Sequence, residues 1–204
     1  MNTVIAILFL IFPQQSFTKF SYCHDTSRGP HESQCIDLDA QGVGEVRLKQ
    51  RGAEETKVQL TLSDAAKGRF LAALAATDFL ANAANYESGK KVADLGLKRL
   101  VLETPAGRRE GMFNFSTIKE VTDFTTFLDA LLNQEAMLLD IDTALRFDRL
   151  SIPKRLDQIE AELKANRIGD PLRLVPILEK IESDARLVNF ARTRAGKIKQ
   201  QLPK

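Results

Sequence analysis

Tryptophan is absent from the 204-residue chain, and cysteine, histidine and tyrosine occur only twice each. Without tryptophan the chain lacks a favoured residue of hot-spot and carbohydrate-stacking surfaces. Charge of one sign is missing too: 29 basic and 27 acidic residues give a formal net charge of +2, so composition names no partner. No nucleotide-binding glycine pattern and no Gly-x-Ser-x-Gly elbow occur. The carboxylates are numerous but unpaired for general acid–base work, with Asp140 and Asp142 facing different directions on a helix. No motif specifies a reaction.

The most informative segment is the first 35 residues. An uncharged apolar run at residues 4–12 (VIAILFLIF) precedes the polar stretch Pro13-Gln14-Gln15-Ser16. Nine residues cannot cross a bilayer, which takes about 20, but they suit the apolar core of a signal peptide. No Lys or Arg precedes the run and no pair of small residues marks a cleavage point, so an uncleaved anchor or a buried N-terminal element of a cytosolic protein are the alternatives. The expectation is a leader over residues 1–22 and an exported protein, periplasmic or extracellular, with no transmembrane span in the mature chain.

Residues 23–35 (CHDTSRGPHESQC) read as a polar loop turned at Gly29-Pro30. Cys23, His24, His31 and Cys35 are the residue types that bind zinc, but the spacing lacks the tight pairs of a zinc module. A Cys23–Cys35 disulfide is the expected outcome in an oxidising compartment, with free thiols and a metal as alternatives. A Cys23–His24 catalytic dyad finds no support, because adjacency in sequence does not place two groups in register for proton transfer.

Beyond the loop, alternation marks strands at residues 36–38, 43–49 and 56–62. Ser63-Asp64 caps a helix over residues 65–80 with Phe70, Leu71, Leu74 and Phe79 as its apolar stripe. A loop at 81–94 leads to two further strands, 97–103 and 110–115, joined at Pro105-Ala106-Gly107. Thr117 and Glu120 have capping-box spacing and open a helix carrying Val121, Phe124, Phe127, Leu128, Leu131 and Leu132. Residues 36–134 therefore predict an α+β domain, a small antiparallel sheet of about five strands with helices on one face. Residues 135–204 predict an all-helical hairpin, its first helix closed at Ile168-Gly169. Its last helix sets Leu174, Leu178, Ile181, Ala185 and Val188 at heptad steps.

The charge is uneven. Residues 151–204 carry twelve cations against seven acids, whereas residues 1–150 carry 17 and 20. Arg192, Arg194, Lys197 and Lys199 form a candidate anion patch, with complementation of a helix dipole as the plainer account. Tyr86, Lys90 and Lys91 form a candidate binding loop, against the plainer account that Tyr86 packs on the sheet.

Asp78-Phe79, Tyr86-Glu87 with Gly89, Asp94 and the turn at Gly107 resemble a family of uncharacterised small exported bacterial domains over residues 36–132. The chain departs from that pattern by lacking a Pro-Thr pair after the aspartate and by adding the helical tail. The resemblance implies an α+β fold and export; the family has no assigned activity, so it assigns no site residue. The functional expectation is a non-enzymatic binding or interaction module without cofactor or metal. Its partner would be another protein or a second copy, met through the C-terminal helices. The alternatives are a hydrolase with a scattered site, or an anion or membrane-surface binder using the basic last helix.

Overall fold

The computed structural model describes residues 17–28, 30–79 and 86–203. The apolar run at 4–12, Gly29 and residues 80–85 lie outside them. Among the described residues six strands form one antiparallel sheet: β1 (Lys19–Asp25), β2 (His31–Leu38), β3 (Val43–Gln50), β4 (Glu55–Thr61), β5 (Leu97–Thr104) and β6 (Gly107–Phe113), in the order β4-β3-β2-β1-β5-β6. Among the same residues five α-helices complete the α+β fold: α1 (Asp64–Ala76), α2 (Lys119–Phe147), α3 (Ile152–Lys164), α4 (Val175–Ser183) and α5 (Asn189–Gln201).

The largest correction concerns β1. Residues expected at the end of a leader and in a polar loop form a central strand, bonded to β2 on one side and β5 on the other. Phe20 and Tyr22 are fully buried on the helix side, and Lys19 and Ser21 alternate with them. The expected Cys-flanked loop is thus a hairpin whose arms reach Asp25 and His31. Backbone pairing overrode the polar composition, because β1 is paired with β5 from Lys19 to Asp25 and with β2 from Phe20 to Asp25, in the middle of the sheet.

Register places three rows on the helix-facing side. Leu60, Leu38, Phe20 and Leu102 form the first; Val58, Val46, Ile36, Tyr22 and Leu100 the second; Thr56, Leu48, Gln34, His24 and Lys98 the third. Helix α1 starts at Ser63, whose Oγ accepts the Ala66 N–H at 3.2 Å, and buries Ala66, Phe70 and Leu74. Phe70 meets Phe20 edge-on at 5.2 Å. Helix α2 begins differently from the expected capping box: its cap residue is Ile118, whose N–H donates to Ser116 Oγ at 3.2 Å.

The expected terminal hairpin is three short helices packed on the C-terminal part of α2. Asn166, in the left-handed region at φ 53°, closes α3 with Arg167 N–H donating to the Glu162 carbonyl at 2.9 Å. The stop therefore comes two residues before the expected Ile168-Gly169. The long heptad helix is broken at Asp184, which caps α4 in extended conformation, before α5 starts at Asn189. Leu174, Leu178 and Ile181 are fully buried against Ile141, Ile159 and Ile198, so this stripe is satisfied within the chain, while Val188 is exposed.

The two halves share α2 and a buried polar junction. Asp170, fully buried, accepts from Ser63 N–H at 2.7 Å and Ser63 Oγ at 2.8 Å, and its backbone pairs with the Gln134 amide. Beside it Arg173 binds buried Glu135 through two bonds of 2.8 Å. At Gly169 any Cβ would sit 2.6 Å from Leu131, so glycine permits this close approach. Among the described residues no helix is long and apolar enough to cross a membrane.

Candidate functional site

The third sheet row is the only one whose central members are polar, and α2 leans over it with Asp129. Tyr22 donates to Asp129 Oδ1 at 2.8 Å, and His24 Nδ1 lies 3.1 Å from the same oxygen. The other imidazole nitrogen, Nε2, lies 3.0 Å from the Leu95 carbonyl. An imidazole can donate from both nitrogens only when protonated. The hydrogen bond to Asp129 accordingly raises the His24 pKa against the opposing effect of burial. Burial, together with the Asp129 charge, pushes Tyr22 well above its usual range. Gly96, at φ 91°, follows Leu95; a Cβ there would fall 2.5 Å from His24 Nε2, so the contact requires glycine.

Next to this cluster an open cleft of about 1240 Å³ runs along α2. Its wall on α2 extends from Asp123 to Thr143, about 30 Å at 1.5 Å per residue. The opposite walls come from the end of β3 and the β3–β4 turn (Gln50, Ala53, Glu54), from Glu162 of α3 and from Arg167 and Ile168 after it. Leu48, Phe127, Met137 and Leu139 supply apolar surface. Five carboxylates line it, Glu54, Asp123, Asp129, Asp140 and Glu162, against the guanidiniums of Arg69 and Arg167. Arg167 is held by Glu162 through bonds of 2.7 and 2.8 Å, and Arg69 sits 4.7 Å over the Phe127 ring. Asp123 pairs with Lys119 and Asp140 with Arg155.

His31 also lines the cleft. A bulge between His31 and Ser33 shifts the β2–β3 register there. The His31 Nδ1 is buried without a hydrogen-bond partner among the described residues, as is Gln34 Nε2 in the polar row. Burial lowers the His31 pKa and favours the neutral ring.

The sequence-derived candidates fall elsewhere. Cys23 and Cys35 are directly opposite across β1 and β2 and form the disulfide. Both thiols are thereby consumed, and His24 projects from the other face of β1, so the four residues weighed for zinc do not converge. Among the described residues no group of three or more His, Cys, Asp or Glu is placed to hold a metal ion. Tyr86 is buried, donates to the Thr77 carbonyl at 3.0 Å and packs against Phe79 and Phe113. Lys90 and Lys91 are exposed and outside the cleft.

On α5, Arg194 holds Glu160 through bonds of 3.0 and 2.8 Å and pairs with Asp157. Lys199 pairs with Glu182 at 2.7 Å and Glu179 at 3.6 Å, and Arg192 donates to the Glu182 carbonyl at 3.1 Å. Among the described residues only Lys197 of the four stands exposed without a pairing.

Sequence reasoning missed Tyr22, Gln34 and Asp129 as site members, and weighed His24 and His31 only for metal or dyad chemistry. The signal that could have found the first pair is the alternation of Phe20, Tyr22 and His24, which places a histidine on a buried face. Asp129 falls among α2 surface residues in the helical period, and nothing local distinguishes it. No protein-family model matches the chain, and no curated protein is similar to it.

Proposed function

We propose that this chain is an exported, non-enzymatic binding module that holds an extended cationic peptide segment in the cleft along α2. The observation that carries this is the lining of the cleft, five carboxylates against two guanidiniums in a chain of net charge +2, with Lys119 and Arg155 holding Asp123 and Asp140 from outside the lining. A trough about 30 Å long suits a chain of about nine extended residues better than a compact metabolite. Its mixed apolar and acidic lining fits a segment that alternates basic with apolar side chains.

Binding is favoured over hydrolysis by the state of His24. A general base needs a free lone pair on the reacting nitrogen, and both ring nitrogens face acceptors. The Asp129 carboxylate is fixed by two donors, which orients it for recognition. No cofactor enters this account. The Cys23–Cys35 bond supports a periplasmic or extracellular setting, since disulfides persist in oxidising compartments. The resemblance to exported bacterial domains points the same way. A leader ending before Phe17 would leave β1 whole. Self-association through the C-terminal helices would need a surface other than their buried stripe, which makes the cleft the preferred protein-binding face.

The test is fluorescence anisotropy with a labelled peptide of alternating Lys and Leu, against its Glu–Leu counterpart. The basic peptide binds in a salt-sensitive way. Replacing Glu54, Asp123 and Asp140 together by their amides weakens it roughly tenfold, at about half a kcal/mol for each exposed charge. Equal affinity for the acidic peptide, or no loss in a triple variant of unchanged circular dichroism, would overturn the assignment.

A further inference from the structure

The helical half has an aliphatic interior: all sixteen of its buried core residues are Leu, Ile, Ala or Met. Its two phenylalanines, Phe147 and Phe190, are both outside, at 83% and 63% exposure. Leu150 and Val188 are 89% and 55% exposed. These four are the only large apolar side chains exposed in residues 135–203, and each is more exposed than any such described residue in the sheet half. Single exposed apolar residues need no explanation, but a contiguous set does.

The four belong to two neighbouring turns. Phe147 ends α2 and Leu150 follows before α3, while Val188 caps α5 and Phe190 lies in its first turn. A cavity of about 530 Å³ has walls from both turns: Arg146 and Arg149 from the first, Asp184 and Arg186 from the second, with Lys180 between. Lys154 is exposed on the first turn of α3. Five cations thus belong to the two turns and the helix ends beside them, against the carboxylates Asp142, Asp148 and Asp184, and among the described residues Arg149 and Lys154 are the two without an ion pair. Asp142 pairs with Arg146 and Lys180, and Asp184 with Arg186. Arg149 retains a buried Nε–H without an acceptor.

We propose that these two turns dock the protein onto an anionic lipid surface, Phe147 and Leu150 entering the interface and the arginines meeting lipid phosphates. Charge selects the occupant: the cationic excess complements an anionic headgroup layer, and the guanidinium fork matches phosphate. Shape selects it too. Side chains 83% and 89% exposed stand clear of the surface, as insertion into a bilayer interface requires, whereas a peptide site would enclose its own lining. Long cationic stems can reach headgroups while the apolar tips sit deeper. The surface is separate from the α2 cleft, and its fate is independent of the peptide-binding assignment.

The absence of tryptophan makes a direct test available. Full-length Phe147→Trp carries one reporter at the tip, and Met112→Trp carries one on the far side of the sheet. Both are titrated with vesicles of one part phosphatidylglycerol to three parts phosphatidylcholine. The tip reporter shifts to the blue and is quenched by acyl-chain-brominated lipid, while the sheet reporter does neither. Adding Arg146→Gln and Arg149→Gln lowers partitioning roughly fivefold. Three results would each overturn the proposal: an unquenched tip reporter on vesicles that do bind protein, as attachment through residues 4–12 alone would give; equal quenching on pure phosphatidylcholine; or a blue shift before lipid is added, which would show a second copy or another part of the chain covering the tip.

Discussion

The sheet half and the helical half solve the burial problem with different side chains. Among the described residues nine aromatic side chains fill the sheet–helix core, including Phe20, Phe70 and Phe124, whose ring centroids lie 5.2 to 6.0 Å apart. A helix packed on a sheet leaves a thick layer, and large rings fill it. In the helical half, Ala191, Ala195 and Gly196 let α5 approach its neighbours, and aliphatic residues interlock without rings. Aromatic residues are thus core material in one half and surface material in the other. Their meaning depends on the element that carries them.

The halves also differ in how they are fastened, which gives three ways to test the contrast. The largest effect belongs to the disulfide. Cys23→Ser with Cys35→Ser should lower stability in urea by about 3 kcal/mol, the chain-entropy value for a loop of this length. If the loss is confined to the sheet, exchange protection falls in β1 and β2 and persists in α4 and α5.

Next comes the junction. Asp170→Ala leaves the Ser63 N–H and hydroxyl without their acceptor and should cost about 2 kcal/mol. Because the residue ties α1 to the helical half, calorimetry should show one transition dividing into two. A single unshifted transition would mean that α2 alone couples the halves.

The smallest is a pH effect peculiar to the sheet half. The folded-state pKa of His24 is raised, so its contact with Asp129 stabilises fully below the unfolded value near 6.5 and fades as pH rises through the folded value. His31, lowered by burial, acts in the opposite direction as pH falls. His24→Gln isolates the first: its deficit relative to wild type should be present at pH 5.5 and close to nil at pH 9. A deficit independent of pH would mean that the Leu95 contact matters and the charge does not.

Much of the fold was legible locally. Alternation located β3, β4, β5 and β6 to within a few residues, and Ser63 marked the start of α1. The helical tail was legible as helix, but its breaks were not. Asp184 ends α4 inside a continuous heptad stripe, because Leu187 is buried from the loop while Val188 turns outward. The candidate site was mostly illegible. Its cleft draws on α2, the β3–β4 turn and α3 with the segment after it, which are distant in sequence.

The chain by itself determined the α+β class, the strand and helix periods, the lone pair of cysteines and the cationic bias of the last quarter, since each follows from side-chain type and local spacing. Tertiary structure decided the rest: that Phe20 and Tyr22 sit in the central strand, that Asp129 meets His24, and that the α5 cations are largely spent on acids of α3 and α4. The physical reason is that pairing across a sheet and charge neutralisation between helices depend on distances in space, and residues more than a hundred positions apart can lie within 3 Å, as Tyr22 and Asp129 do.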